Sequence, residues 1–78
     1  MQNRTYIVMH FDLQLLRKPD ANGNSAVLES RILSGTSVEQ GVRMAKAIVQ
    51  NKPVPGTYGF RLIRNGLEVF RWFDDQEA

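Results

Sequence analysis

The sequence lacks cysteine altogether, and it lacks any apolar run long enough to cross a membrane. Without cysteine the chain cannot form a disulfide or a thiolate metal site, and this residue usage is typical of a reducing cytoplasm. The opening stretch, "MQNRTYIVMHFDLQ", also lacks the basic-then-apolar block of a secretory signal. We therefore expect a cytoplasmic protein with no membrane contact, no cofactor and no metal.

Charge of either sign is not in large excess, because ten Lys and Arg residues against eight Asp and Glu give a net charge of +2. This mild basic balance permits contact with nucleic acid without indicating it. A chain of 78 residues makes one domain, and a domain this small buries only about 60% of its unfolded surface. We expect a thin stability margin, which a partner or a second copy of the chain would improve.

The first third of the chain predicts two strands. In "TYIVMHFDLQLL" apolar and polar residues alternate, which predicts a half-buried strand over about 4–16. The segment "RKPDANGNS" has the composition of a loop. A second strand is predicted over about 26–33, where Ala26, Leu28 and Ile32 share one face.

The middle of the chain changes to helical spacing and predicts a helix over about 38–51. The apolar stripe consists of Val38, Val42, Ala45 and Val49, flanked by Gly41 and Ile48. Two capping boxes compete at the start, either Thr36 with Glu39 or Ser37 with Gln40. Two prolines then end the helix.

The last third, "GFRLIRNGLEVFRWF", predicts a hairpin with strands over about 57–64 and 67–73. Asn-Gly suits a two-residue turn in which both central residues have positive φ. Counted outward from that turn, Ile63 faces Glu68, Arg61 faces Phe70 and Gly59 faces Trp72. Both faces of this hairpin then carry apolar groups. The acidic end of the chain, residues 74–78, is predicted to be a flexible tail.

Together these elements predict an α+β fold, a single compact domain of ββαββ order with one helix packed on one face of an antiparallel four-stranded sheet. The position of the first hairpin beside the second is left open, with two arrangements. One helix covers only one face, so we expect Arg61, Ile63, Phe70 and Trp72 to lie on the uncovered face as partner-binding residues. A purely structural alternative has Trp72 folding over Gly59.

Residues that could support catalysis or metal binding are few. His10 and Asp12 point to the same side of a strand, and Ser30 or Ser34 could serve as a nucleophile beside them. A surface histidine explains the pattern as well, and we do not expect an enzyme. "DANGN" has the spacing of the first calcium-loop ligands but lacks the glycine and the glutamate that the motif requires later.

The basic residues allow a second interpretation, a small nucleic-acid-binding or regulatory module. Arg43, Lys46, Lys52 and Arg64 would contact phosphates or an acidic partner, with Arg61 beside them. Phe70 or Trp72 would stack on bases. The sequence leaves monomer and homodimer equally open.

The second half of the chain resembles small phage-encoded anti-CRISPR proteins. The similar stretches are "TSVEQGVRMAKAIVQ", a Ser-led helix with alanine and basic residues, and "GTYGFRLIRNGLEVFRWF", which continues through an Asn-Gly turn into an aromatic strand. The resemblance implies a non-enzymatic inhibitor that binds a bacterial Cas effector, inside the host cytoplasm, and blocks it sterically. The slightly basic charge argues against DNA mimicry.

Overall fold

The computed structural model describes residues 7–51 and 54–74, and within them the chain has the predicted ββαββ order. The elements are β1 Met9–Leu16, β2 Val27–Gly35, α1 Val38–Gln50, β3 Gly59–Arg64 and β4 Leu67–Phe73. The first strand begins later than predicted, and residues 4–6 of the prediction lie outside the described residues.

The four strands form one antiparallel sheet in the order β2-β1-β3-β4. This order settles the arrangement that the sequence left open, because β1 lies between β2 and β3. Since β2 and β3 are both antiparallel to β1, they run in the same direction. Such a connection needs a long crossover, and α1 supplies it.

Helix α1 begins at the second of the two predicted capping boxes. The Ser37 side chain accepts a hydrogen bond from the Gln40 backbone N–H at 3.0 Å, as an N-cap does. The Gln40 side-chain oxygen accepts from the Thr36 backbone N–H at 2.6 Å. Gly41 permits close packing, because a Cβ there would lie 3.0 Å from the Phe11 ring.

The core lies between α1 and one face of the sheet, and we call this the helix-side face. Its buried members come from α1 and all four strands: Phe11, Leu13, Leu15, Leu33, Ala45, Val49, Phe60, Leu62 and Trp72. The predicted helical stripe is thus confirmed at its buried positions, with Val38, Val42 and Ile48 partly buried against the core. Nonpolar burial of this kind is the main favourable term in folding.

The closing hairpin has the predicted turn but not the predicted register. Asn65 and Gly66 have φ of 55° and 80°, as the two-residue turn requires. Ile63 pairs with Glu68 as expected, but the register then shifts and Leu62 pairs with Phe70. The extra residue on β4 is Val69, which forms a β-bulge and reverses the faces of every residue after it.

The bulge overturns the placement of two aromatic residues. Phe70 and Trp72 lie on the helix-side face, where Trp72 is only 4% exposed, and not on the uncovered face. Their rings pack against Phe60 at centroid distances of 6.0 and 5.8 Å. Burial of these two rings explains the register shift. Burying an aromatic side chain stabilises the fold by more than keeping the strand pairing regular at Val69 would.

The predicted buried face of β2 also needs correction. In β2, Leu33 is buried opposite Phe11, whereas Ile32 is 71% exposed on the other face. At the chain end, the Asp74 N–H donates to the Tyr58 carbonyl oxygen at 2.9 Å. The predicted tail is therefore held to the sheet at its first residue, and residues 75–78 lie outside the described residues.

Candidate binding site on the open sheet face

The sheet face opposite the helix is covered by no helix or strand among residues 7–51 and 54–74, and we call it the open face. Strand pairing places on it Ser30, Ile32 and Ser34 of β2, His10, Asp12, Gln14 and Leu16 of β1, Arg61 and Ile63 of β3, and Glu68, Arg71 and Phe73 of β4. Most of these side chains are polar, and the bulge places Phe70 and Trp72 on the helix-side face and Arg71 on the open face.

Two arginines and one glutamate form a cluster on the β3–β4 side of the open face. Arg61 and Arg71 are directly opposite each other across β3 and β4. Glu68 lies between them: its carboxylate accepts from Arg71 at 2.8 Å and is 3.6 Å from Arg61. Arg61 also donates through Nε to the Gln14 side chain at 2.5 Å. The single carboxylate balances one of the two positive charges, so the cluster keeps a net charge of about +1.

The arginines set the ionisation of Glu68. The hydrogen bond from Arg71 lowers the pKa of the Glu68 carboxyl below its ordinary value of 4.5, partial burial opposes this, and the charges of both arginines add to the lowering. Glu68 is therefore ionised at neutral pH.

The four predicted partner-binding residues do not lie together. Arg61 and Ile63 lie on the open face, as expected, whereas Phe70 and Trp72 pack toward the helix. Ile32, which was not among the candidates, is 71% exposed on the open face in the same row of the sheet as Ile63. The sequence could have indicated this position. Ile32 lies two residues before the polar Ser34 and therefore shares its face, while Leu33 occupies the other face of the strand.

An aromatic ring packs over Gly59 as predicted, but the ring is that of Phe73 and not that of Trp72. A Cβ at Gly59 would lie 2.5 Å from the Phe73 ring, so only glycine fits here. The centroids of the Phe73 and Tyr58 rings are 6.0 Å apart, and the Lys18 ammonium nitrogen lies 5.8 Å from the centroid of the Tyr58 ring. Phe73 takes this role because the bulge pairs it with Gly59.

The predicted phosphate-contacting residues are split between the two sides of the sheet. Arg43 is exposed on α1, and Lys46 of the same helix lies 5.4 Å from the Trp72 ring. Arg64 follows Ile63 and so belongs to the helix-side face. Arg61 alone among the basic candidates faces the open side, and Lys52 lies outside the described residues.

The histidine that the sequence singled out contacts one of the two candidate serines. His10 Nδ1 and Ser34 Oγ share a hydrogen bond of 2.9 Å on the open face, and both residues are exposed. Asp12 lies one step along the same face and makes no hydrogen bond to the imidazole in the described structure. Among residues 7–51 and 54–74, the hydrogen bond to Ser34 is therefore the one contact that orients this imidazole.

The "DANGN" segment stabilises its own loop. The Asp20 carboxylate accepts backbone N–H bonds from Asn22 and Asn24 at 2.9 and 3.0 Å. Gly23 has φ of 81° and donates to the Asp20 carbonyl oxygen. This is the ordinary use of aspartate in a turn. No group of three metal-ligating side chains occurs within the described part of the chain.

This loop and the open face together form a pocket that was not among the predictions from the sequence. The pocket has a volume of about 140 Å³ and is lined by Leu16, Gly23, Asn24, Ser25, Arg61 and Arg71. Leu16 is fully buried there, apart from the main core. Predicting the pocket would have required both the loop position and the bulge that moves Arg71 to the open face.

Comparisons with known proteins add no relative. No family model matches the chain, and neither a curated protein nor a solved structure is significantly similar to it. The class that the structure defines is therefore an α+β domain with a four-stranded antiparallel sheet and one helix. Among the described residues, no helix is both long enough and apolar enough to cross a membrane.

Proposed function

We propose that this chain is a non-enzymatic binding protein, which docks on a partner protein through the open face and blocks access to the surface it covers. The observation that carries the proposal is the combination on that face of an arginine–glutamate cluster with the exposed Ile32. Arginine beside apolar side chains is typical of the residues that anchor protein interfaces. A standard interface of about 800 Å² on each partner would cover this face.

The partner we propose first is a bacterial Cas effector, because the helix and hairpin segments resemble phage-encoded anti-CRISPR proteins. Inhibition would be steric and would need no group of catalytic residues. The nucleic-acid alternative is less well supported, since Trp72 is buried in the core and Phe70 is partly buried against it, whereas base stacking needs exposed aromatic rings. Its basic residues also divide between both sides of the sheet.

Co-elution of the purified chain with purified Cas effector complexes on a sizing column tests the proposal. Two charge reversals discriminate the surfaces: Arg61→Glu on the open face and Arg43→Glu on the exposed side of α1. We expect Arg61→Glu to weaken binding at least tenfold and Arg43→Glu to leave it unchanged, because only the first lies on the docking surface.

Three results would contradict the proposal. Absence of co-elution with every Cas complex removes the anti-CRISPR form of it. Loss of binding with Arg43→Glu but not with Arg61→Glu moves the interface to the helix. A free chain that light scattering shows to be a dimer, and that Ile63→Glu converts to a monomer, means that a second copy covers the open face.

A further inference from the structure

The two arginines that line the pocket at the edge of the open face have more hydrogen-bond donors than the surrounding side chains accept. Each guanidinium group has five N–H donors. Arg61 uses one of them in its hydrogen bond to Gln14, and Arg71 uses two in its bonds to Glu68. Arg61 also faces Glu68 in an ion pair of 3.6 Å, and the hydrogen bonds within the described residues use fewer than half of the N–H donors of the two side chains, both of which line the pocket.

The pairing of the two arginines is unfavourable by itself. Like charges directly opposite each other on adjacent strands destabilise a sheet by a few tenths of a kcal/mol to about 1 kcal/mol. Glu68 offsets one positive charge of the two, and Gln14 is neutral. A local conflict of this kind between sequence and stability is typical of a functional site.

Ser25, which lines the same pocket, supplies an independent observation. Its Oγ is buried and has no hydrogen-bond partner in the part of the chain that the structure describes. A buried hydroxyl without a partner is unfavourable, and such groups are uncommon in folded proteins. The hydrogen bonds of Asp20 to Asn22 and Asn24 fix the loop that carries Ser25, and this loop lines the same pocket as the two arginines.

From this geometry we infer that the pocket binds a single oxyanion group, held by Arg61, Arg71 and the Ser25 hydroxyl. The inference rests on the proposed function for the source of that group, which is a carboxylate side chain of the partner protein. Arginine forks suit planar carboxylates, which they bind through two parallel hydrogen bonds. A volume of about 140 Å³ is close to five times the ~30 Å³ that a water molecule occupies in the liquid, which is enough for one such group.

An isolated anion fits this face better than a nucleic-acid backbone does. Glu68 and Asp12 lie on the same face as the arginines, in the neighbouring row of the sheet. The successive phosphates of a nucleic-acid backbone would lie close to these carboxylates as well as to the guanidinium groups, and the carboxylates would repel them. Nucleic-acid grooves instead present a continuous track of positive charge.

Nuclear magnetic resonance titration of the free chain tests the inference without a partner. The probes are sodium acetate and sodium phosphate, with sodium chloride at equal ionic strength as the control. We expect both oxyanions to shift the backbone amides of Gly23 and Ser25 and the Nε–H signals of Arg61 and Arg71 saturably. Chloride should not do so. An acetylated peptide with one glutamate should produce the same shifts and compete with phosphate.

Variants separate a binding pocket from a merely structural cluster. Ser25→Ala should weaken acetate binding about fivefold, the effect of one hydrogen bond, and Arg71→Gln at least tenfold. Glu68→Gln should strengthen binding several-fold, because it removes the carboxylate that competes for the same donors. Arg31→Gln is the matched control, because Arg31 is as exposed as Arg71 but pairs with Glu29 on the helix-side face. Should Arg71→Gln not fold, Arg71→Lys keeps the charge and removes the fork.

The inference is overturned if chloride reproduces the shifts, or if Ser25→Ala and Arg71→Gln leave the acetate affinity unchanged. It is also overturned if a short oligothymidine binds the pocket more tightly than the glutamate peptide, since the pocket would then serve nucleic acid. These outcomes differ from failure of the proposed function. A chain that co-elutes with its partner through Arg61 and ignores acetate loses only the pocket, whereas one that binds acetate and no Cas complex loses only the proposed partner.

Discussion

Replacement of Trp72 decides between the two placements of this side chain, in the core or on the open face. The ring is 4% exposed, packs on Phe60 at 5.8 Å and lies 5.4 Å from the Lys46 ammonium group. A buried tryptophan removes roughly 200 Å² of apolar surface from water, which contributes about 5 kcal/mol at 25 cal/mol per Å². Compaction of the unfolded chain reduces this figure by 10–40%.

We therefore expect Trp72→Ala to lower the free energy of unfolding by about 3–4 kcal/mol, within the range for buried aromatic residues. A domain of this size has about 4–12 kcal/mol in total, so the variant would lose much of its stability. Urea denaturation followed by circular dichroism measures the change. Since Trp72→Ala could unfold, Trp72→Phe serves as the milder variant, with an expected loss of about 1–2 kcal/mol. Ile32→Ala, at a position 71% exposed, is the matched control and should change stability by less than about 0.5 kcal/mol.

Because the chain has a single tryptophan, its fluorescence reports on the same site. A buried indole emits at shorter wavelength than an exposed one and is protected from iodide quenching. A Trp72→Ala variant as stable as the parent, together with emission that iodide quenches freely, would refute the register shift and return Trp72 to the open face.

Two further predictions concern the hairpin. Gly59→Ala should destabilise the fold by about 1–3 kcal/mol in urea denaturation, since its Cβ would overlap the Trp72 carbonyl oxygen and the Phe73 ring; an unchanged midpoint would contradict this packing. Glu68→Gln should cost up to about 1 kcal/mol at pH 7, as an exposed ion pair does. The folded-state pKa of Glu68 is lowered, so its contribution is present at neutral pH and is lost as the pH falls through that pKa. The difference between parent and variant should then shrink as the pH falls below 4.5, and a difference that does not change with pH would show that the arginine contacts are not its cause.

The elements of the fold could be predicted from the sequence because their signals are local. Alternation marked β1, the stripe through Ala45 and Val49 marked α1, and Ser37 with Gln40 marked its start. Even the turn at Asn65 followed from its residue types alone. Each of these depends on neighbours within four residues along the chain.

The face of each β4 residue could not be predicted in this way, because nothing in "LEVFRWF" marks Val69 as a bulge. The bulge follows from the competition between whole faces, which depends on the sheet and the helix together. One test was accessible from the sequence. A slip of one residue puts Phe70 and Trp72 beside Phe60 and Leu62 on one face and places Arg71 opposite Arg61 on the other. For predicting the register of this hairpin, grouping the aromatic residues on one face is a better criterion than assuming that the strand pairing is unbroken.

The core and the candidate site of this protein depend on the same inserted residue. Glu68 and Arg71 are three residues apart, and in a regular strand they would lie on opposite faces. With Val69 bulged out, both lie on the open face, where they form the 2.8 Å ion pair. The same bulge brings Arg71 opposite Arg61, beside the pocket, and Trp72 beneath α1. Burial of the tryptophan therefore provides the free energy that holds two like charges together, and the stability of the core is coupled to the presence of the arginine cluster.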